Sequence, residues 1–292
     1  MKLDEMFLLV QQTQHGSSGR GISFWSKAAT CGRKANLDEA AGPREARQEA
    51  MDDDPDALMV GTYYHLLHEF RAKGALDGLV WDQTDQAWTP SFTEAVRLYR
   101  AYVGHWGDPG QRYGGRIIGT EVPIPATDVG KGRIREMFGD DVTGRVDAIL
   151  EVIDPAVALE NTGLELQPGV YLLDFKSLKA HSEQHRWSYA YSLQAATYLE
   201  IYNLEHPEAP ALGMIFDCIM KAKHIKKEVD AKTGRSSYQA YLQLPAQNDK
   251  KVIEALVTIG KRNVNEDIAN PSQCLSSWTP CYWFKSGKCQ RF

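Results

Sequence analysis

Residues 144–152, GRVDAILEV, and residues 169–178, GVYLLDFKSL, carry the reading that decides the fold. In the first, Val146, Ala148, Leu150 and Val152 alternate with Arg145, Asp147, Ile149 and Glu151, the period of a strand with one buried face. The second is rich in residues that favour strands. Asp174 and Lys176 stand two apart in it, so they leave one face while Phe175 points to the opposite, packed side. Asp147 sits on the polar face of the neighbouring strand, where two adjacent carboxylates repel unless a divalent cation lies between them. A carboxylate pair with a lysine beside it suits metal-assisted phosphodiester hydrolysis: oxygens hold Mg²⁺, and the ammonium positions water or offsets phosphoryl charge. The same residues read equally well as a surface Asp–Lys pair with an unrelated exposed Asp147.

Working outward, RIIGTEVPI (116–124) predicts a partner strand, and DPAVALENTGLELQPG (154–169), with Pro155, Gly163 and Pro168, a hairpin connection or small insertion. Helical spacing of apolar residues predicts helices from Asp56 to about Lys73 and from Phe92 to Trp106. A longer helix is expected from Glu183 to Glu205, where Trp187, Tyr191, Gln194, Tyr198 and Tyr202 share a stripe that is mainly core, with Tyr198 and Tyr191 reaching toward the cleft. ALGMIFDCIMKA (211–222) and SSYQAYLQL (236–244) read as strands, and a closing helix spans Asp249 to Asn265. The expected fold class is α/β, a mixed sheet flanked by helices.

Composition narrows the function classes. The chain has 292 residues, 43% hydrophobic and 24% charged, as a folded globular protein does. No apolar run reaches the ~18 residues of a membrane span, and the acidic opening MKLDEMFLLVQQTQ lacks the basic flank of a signal peptide, so a cytoplasmic location is expected. A net charge of −5 gives no global attraction for nucleic acid, so any such contact must be local. Lys221, Lys223, Lys226 and Lys227 form the basic cluster best suited to phosphates, or else a solvated turn.

The ordered set GRVDAIL, YLLDFKS and QAATY, with GTYYHLLHEF upstream, resembles the PD-(D/E)XK nuclease superfamily, in particular its RecB-like branch. The resemblance runs from Gly61 to Tyr198. It implies a restriction-endonuclease-like core and a DNA nuclease, most simply an exonuclease of recombination, repair or phage DNA metabolism. By the same resemblance His65, Asp147 and Asp174, with the Phe175 carbonyl, bind Mg²⁺ or Mn²⁺. Lys176 assists the attacking water, and Gln194 and Tyr198 orient the lysine or touch the DNA backbone. Glu121 matches a carboxylate on the first strand, and His68, three residues after His65, is the alternative histidine ligand. The segment between Asp147 and Asp174 is longer than a tight hairpin needs. A catalytically inactive DNA-binding module is the alternative function. No GxxxxGK[ST] motif is present, so unwinding would come from a helicase or another recombination protein on a separate chain.

Of five cysteines, Cys274, Cys281 and Cys289 fall in the tail CLSSWTPCYWFKSGKCQRF, with six and then seven residues between them, and Cys31 lies near the start. Four thiolates hold either Zn²⁺ or an iron–sulfur cluster. One cysteine before the core and three after it resemble the iron–sulfur nucleases of the superfamily, AddB and the CRISPR-associated exonucleases among them. That implies a 4Fe-4S cluster joining the chain ends, with zinc as the alternative because their short CxxC is absent here. Cys218, inside an apolar run, reads as a buried hydrophobe. The whole chain, 1–292, is expected to form one nuclease domain, with a core at about 56–265 and a tail at 270–292 packing near Cys31.

Overall fold

A computed structural model describes residues 55–74, 76, 90–139, 141–178, 189, 192–221, 225, 236–245 and 249–266. It contains helices α1 (Pro55–Ala72), α2 (Pro90–Trp106) and a short α3 (Pro109–Arg112), then strand β1 (Gly115–Ile124). Helix α4 (Asp128–Phe138), strand β2 (Gly144–Val152), helix α5 (Pro155–Thr162) and strand β3 (Gly169–Leu178) follow. Helix α6 (Leu193–Glu205), strands β4 (Ala211–Met220) and β5 (Tyr238–Gln243) and helix α7 (Asp249–Asn265) complete the order. The chain is thus α/β, with a five-stranded sheet in the order β1-β2-β3-β4-β5. Only β3 and β4 pair in parallel; the other neighbours are antiparallel, so the sheet is mixed.

Both faces of this sheet are covered. Ala148, Leu150, Val152, Tyr171, Leu173 and Phe175 pack toward α1 and α2, while Ile149, Leu172, Met214, Phe216 and Cys218 pack toward α4, α6 and α7. This corrects the one-faced reading of β2: Ile149, predicted on the open side, is buried because helices occupy that side too. Cys218 is fully buried, as its apolar neighbours predict, and burial pushes its thiol pKa up. No helix among the described residues is long and apolar enough to cross a membrane.

Three further differences have local causes. The hairpin connection or small insertion expected over 154–169 does join the antiparallel β2 and β3, and it holds a helix of its own, α5, capped by Asp154, opened by Pro155 and closed by Gly163 in the left-handed region at φ 74°. Helix α4 was not foreseen, since Gly130 and Gly132 obscure its pattern. Gly130 is there for space: a Cβ would run into Glu205, which accepts the Thr127 N–H at 2.6 Å and so holds the start of α4. Of the helix expected from Glu183 to Glu205, residues 183–188, 190 and 191 lie outside the described residues, and α6 itself begins at Leu193, because Ser192 is extended (φ −72°, ψ 121°) and its hydroxyl caps the Ala195 N–H. Tyr198 and Tyr202 are core as expected, whereas Trp187 and Tyr191 lie outside the described residues.

Candidate active site

The antiparallel ladder between β2 and β3 runs from Val152↔Gly169 to Ala148↔Leu173. Beyond that pair β3 continues alongside β4, with Asp174 opposite Phe216 and Lys176 opposite Cys218, while β2 continues alongside β1. The two strands therefore part where Asp147 and Asp174 stand. The Phe175 N–H donates to Asp147 Oδ2 at 2.7 Å, so a carboxylate satisfies a strand donor at this fork. The same oxygen lies 3.1 Å from His65 Nδ1 of α1, and Lys176 Nζ lies 2.5 Å from Asp174 Oδ2.

Burial and charge set the protonation of these groups. Asp174 is only 3% exposed, which excludes the reading of a surface Asp–Lys pair. Its pKa is raised by burial and by the Asp147 charge, against the pull of Lys176. Asp147 is held below the ordinary carboxylate range: burial pushes upward, but His65, Lys176 and the Phe175 N–H outweigh it. Lys176 is penalised by burial, yet the two carboxylates win and raise its pKa, so it remains an ammonium ion at neutral pH. His65 is likewise drawn toward protonation by Asp147 despite burial.

The register between β1 and β2 (Thr120↔Ala148, Val122↔Val146) places Glu121 across from Asp147. Glu121 takes a left-handed backbone at φ 50°, a conformation that costs a residue other than glycine of order 1–3 kcal/mol. It accepts from Arg145 Nη1 at 3.0 Å, and its pKa is raised by burial and then by Asp147. Gln194 and Tyr198 also converge on this strand rather than on Lys176. The Tyr198 hydroxyl accepts the Arg145 N–H at 3.1 Å and the Gln194 amide at 3.3 Å, and Tyr198 is 4% exposed. Gly144 leaves room for that ring; a Cβ there would run into it. Tyr198 thus fixes the start of β2, two residues before Asp147, and presents no surface to a DNA backbone.

His68 is not the partner of Asp147. Its ring lies under the cluster, stacked on Phe175 with centroids 4.0 Å apart and an interplanar angle of 12°. Burial, and then the His65 charge, hold its pKa well below the usual histidine value. Farther down is a pair that the sequence did not disclose: Arg112 and Asp217, each 1% exposed, form a buried ion pair, and Tyr102 donates to Asp217 at 2.6 Å. The charge of Asp217 inside IFDCIM was a visible signal; its partner, 105 positions earlier, was not.

The donor chemistry around the fork, carboxylate oxygens with one imidazole, suits a hard divalent cation. Among the described residues no group of three or more His, Cys, Asp or Glu side chains is gathered closely enough to hold a metal ion, and His65 and Lys176 lie against the two carboxylates. Cys31, Cys274, Cys281, Cys289, Lys223, Lys226 and Lys227 lie outside the described residues. No protein-family model matches the chain, and no curated protein matches it with significance.

Proposed function

We propose that this chain is a divalent-metal-dependent deoxyribonuclease of the PD-(D/E)XK, RecB-like type, hydrolysing phosphodiester bonds, most simply as an exonuclease in recombination, repair or phage DNA metabolism. The observation that carries the reading is the fork between β2 and β3, where two buried carboxylates, one held low and one raised, meet a lysine that stays charged. Polar groups with pKa values pushed in opposite directions at one cleft are a mark of functional sites.

In this reading Asp147, Asp174, His65 and the Phe175 carbonyl would hold Mg²⁺ or Mn²⁺, which supplies a polarised phosphate and an activated water when bound. His65 must lose the proton that Asp147 favours in order to serve as a ligand. Lys176 keeps its proton, so its contribution is a fixed positive charge and N–H donors aimed at the phosphoryl oxygens or the water, not proton abstraction. Gln194 and Tyr198 hold β2 in place. The restriction-endonuclease-like core, the single 1–292 domain and a 4Fe-4S cluster (or Zn²⁺) on Cys31, Cys274, Cys281 and Cys289 belong to the same proposal.

The test is cleavage of end-labelled single-stranded and duplex DNA with Mg²⁺, Mn²⁺ or EDTA. Asp174→Asn should lower the rate by at least about a hundredfold. Its thermal midpoint at neutral pH should not fall, because the raised pKa of Asp174 means that its ionised form is penalised in the folded state. Undiminished metal-dependent cleavage by Asp174→Asn, or no cleavage by the unaltered protein, would defeat the reading.

A further inference from the structure

A cleft of about 530 Å³ opens beside the carboxylate fork, with Asp147 and Phe175 on its inner wall. Arg71, near the end of α1, and Arg116, near the start of β1, also line it. Arg71 has no carboxylate partner among the described residues, and Arg116 pairs with Glu151 at 2.6 Å while remaining 68% exposed. The carboxylate of Asp108, also on the wall, is engaged by the Gln111 N–H at 2.9 Å.

His68 is the packing residue on which the cleft rests. It lines the cleft, is 4% exposed, and neither ring nitrogen has a hydrogen-bond partner. Its ring is fixed by the stack on Phe175 and by edge contacts to Tyr64, Tyr99 and Tyr102. A buried imidazole left unpaired is costly, and rigid aromatic packing prevents it from turning to seek water.

Resting on the nuclease reading, we propose that this cleft seats one nucleotide of a single DNA strand next to the reacting phosphate, with Arg71 and Arg116 on its phosphate. Two guanidinium groups on one cleft suit a phosphate, for which arginine offers paired donors. The volume is that of a small-ligand site, about 300–1,000 Å³. It cannot enclose a duplex, whose major groove alone is about 12 Å wide.

The test is calorimetric titration of the full chain with thymidine 5′-monophosphate, in Ca²⁺ without Mg²⁺, with inorganic phosphate and thymidine as separate arms. The mononucleotide should bind more tightly than either arm. Arg71→Ala should weaken it about tenfold or more, and Arg116→Ala by less because Glu151 already shares that guanidinium. His68→Phe keeps the ring packing and removes two nitrogens that are closed to solvent, and should leave mononucleotide binding unchanged. Thermal midpoints without ligand should stay unchanged in both arginine variants. Binding that is indifferent to Arg71→Ala, or no tighter than inorganic phosphate, would overturn the subsite. Arg71-dependent binding by a protein that cleaves no DNA would keep the subsite and remove the nuclease, whereas cleavage without such binding would do the reverse.

Discussion

Tyr198→Phe separates a residue that holds a strand from one that touches substrate. The substitution keeps the ring, which is 4% exposed among Leu199, Val146 and their neighbours, and deletes only the hydroxyl. That oxygen accepts two hydrogen bonds, at 3.1 Å from the Arg145 N–H and 3.3 Å from the Gln194 amide, both at the long end of the useful range. Gln194 can turn to water, but the Arg145 N–H at the start of β2 is left without its acceptor. One such donor costs about 1–2 kcal/mol, which in a domain of this size lowers Tm by roughly 2–8 °C. Because Arg145 lies two residues before Asp147, kcat should fall several-fold while KM for DNA changes little. Thermal unfolding followed by circular dichroism, with steady-state cleavage of an end-labelled strand, measures both. A variant with unaltered Tm and a raised KM would show that the hydroxyl meets DNA and that the strand-holding argument is wrong.

Three further outcomes are expected. In the metal-free protein the Asp174 carboxyl should titrate above the ordinary carboxylate range, followed by 13C NMR of labelled aspartate in EDTA; Lys176→Met removes a charge that lowers that pKa, so the titration should move to still higher pH. A titration that stays in place or moves lower would contradict the coupling. Arg112→Met strands Asp217 at 1% exposure, which should cost about 3–5 kcal/mol and lower Tm by about 10 °C, and Arg112→Met with Asp217→Leu should recover most of the loss; an equal loss in the double variant would refute the charge argument. Anaerobically purified protein should be brown, with about four iron and four sulfide per chain, and Cys281→Ser should be colourless while Cys218→Ser keeps its metal; about one zinc per chain would mean the right ligands with the wrong metal, and no metal would end the cluster proposal.

The sequence by itself determined the strands and the residues at their fork. Period-two alternation in 144–152 and the strand-forming residues of 169–178 are local properties, and they already place Asp147, Asp174 and Lys176 on two strands. The 3.6-residue period likewise marked α1, with His65 on it. What the tertiary structure alone decided is which surfaces are covered and which distant groups meet. Helices on both faces bury Ile149 and Asp174, which raises the Asp174 pKa, while His65 and the Phe175 N–H hold Asp147 low and so split the pair. The choice between His65 and His68 also lay beyond the sequence, since both fall on nearly the same helical face; only the packing of α1 on β3 sends one to Asp147 and the other beneath Phe175. Tyr198 reaches Arg145 across 53 positions and Arg112 reaches Asp217 across 105, and such pairings follow from the strand order and register rather than from any local pattern. Local periodicity reflects the chain's own geometry, whereas pKa, burial and partner choice depend on the low-dielectric surroundings that exist only once the sheet and its two helical layers have assembled.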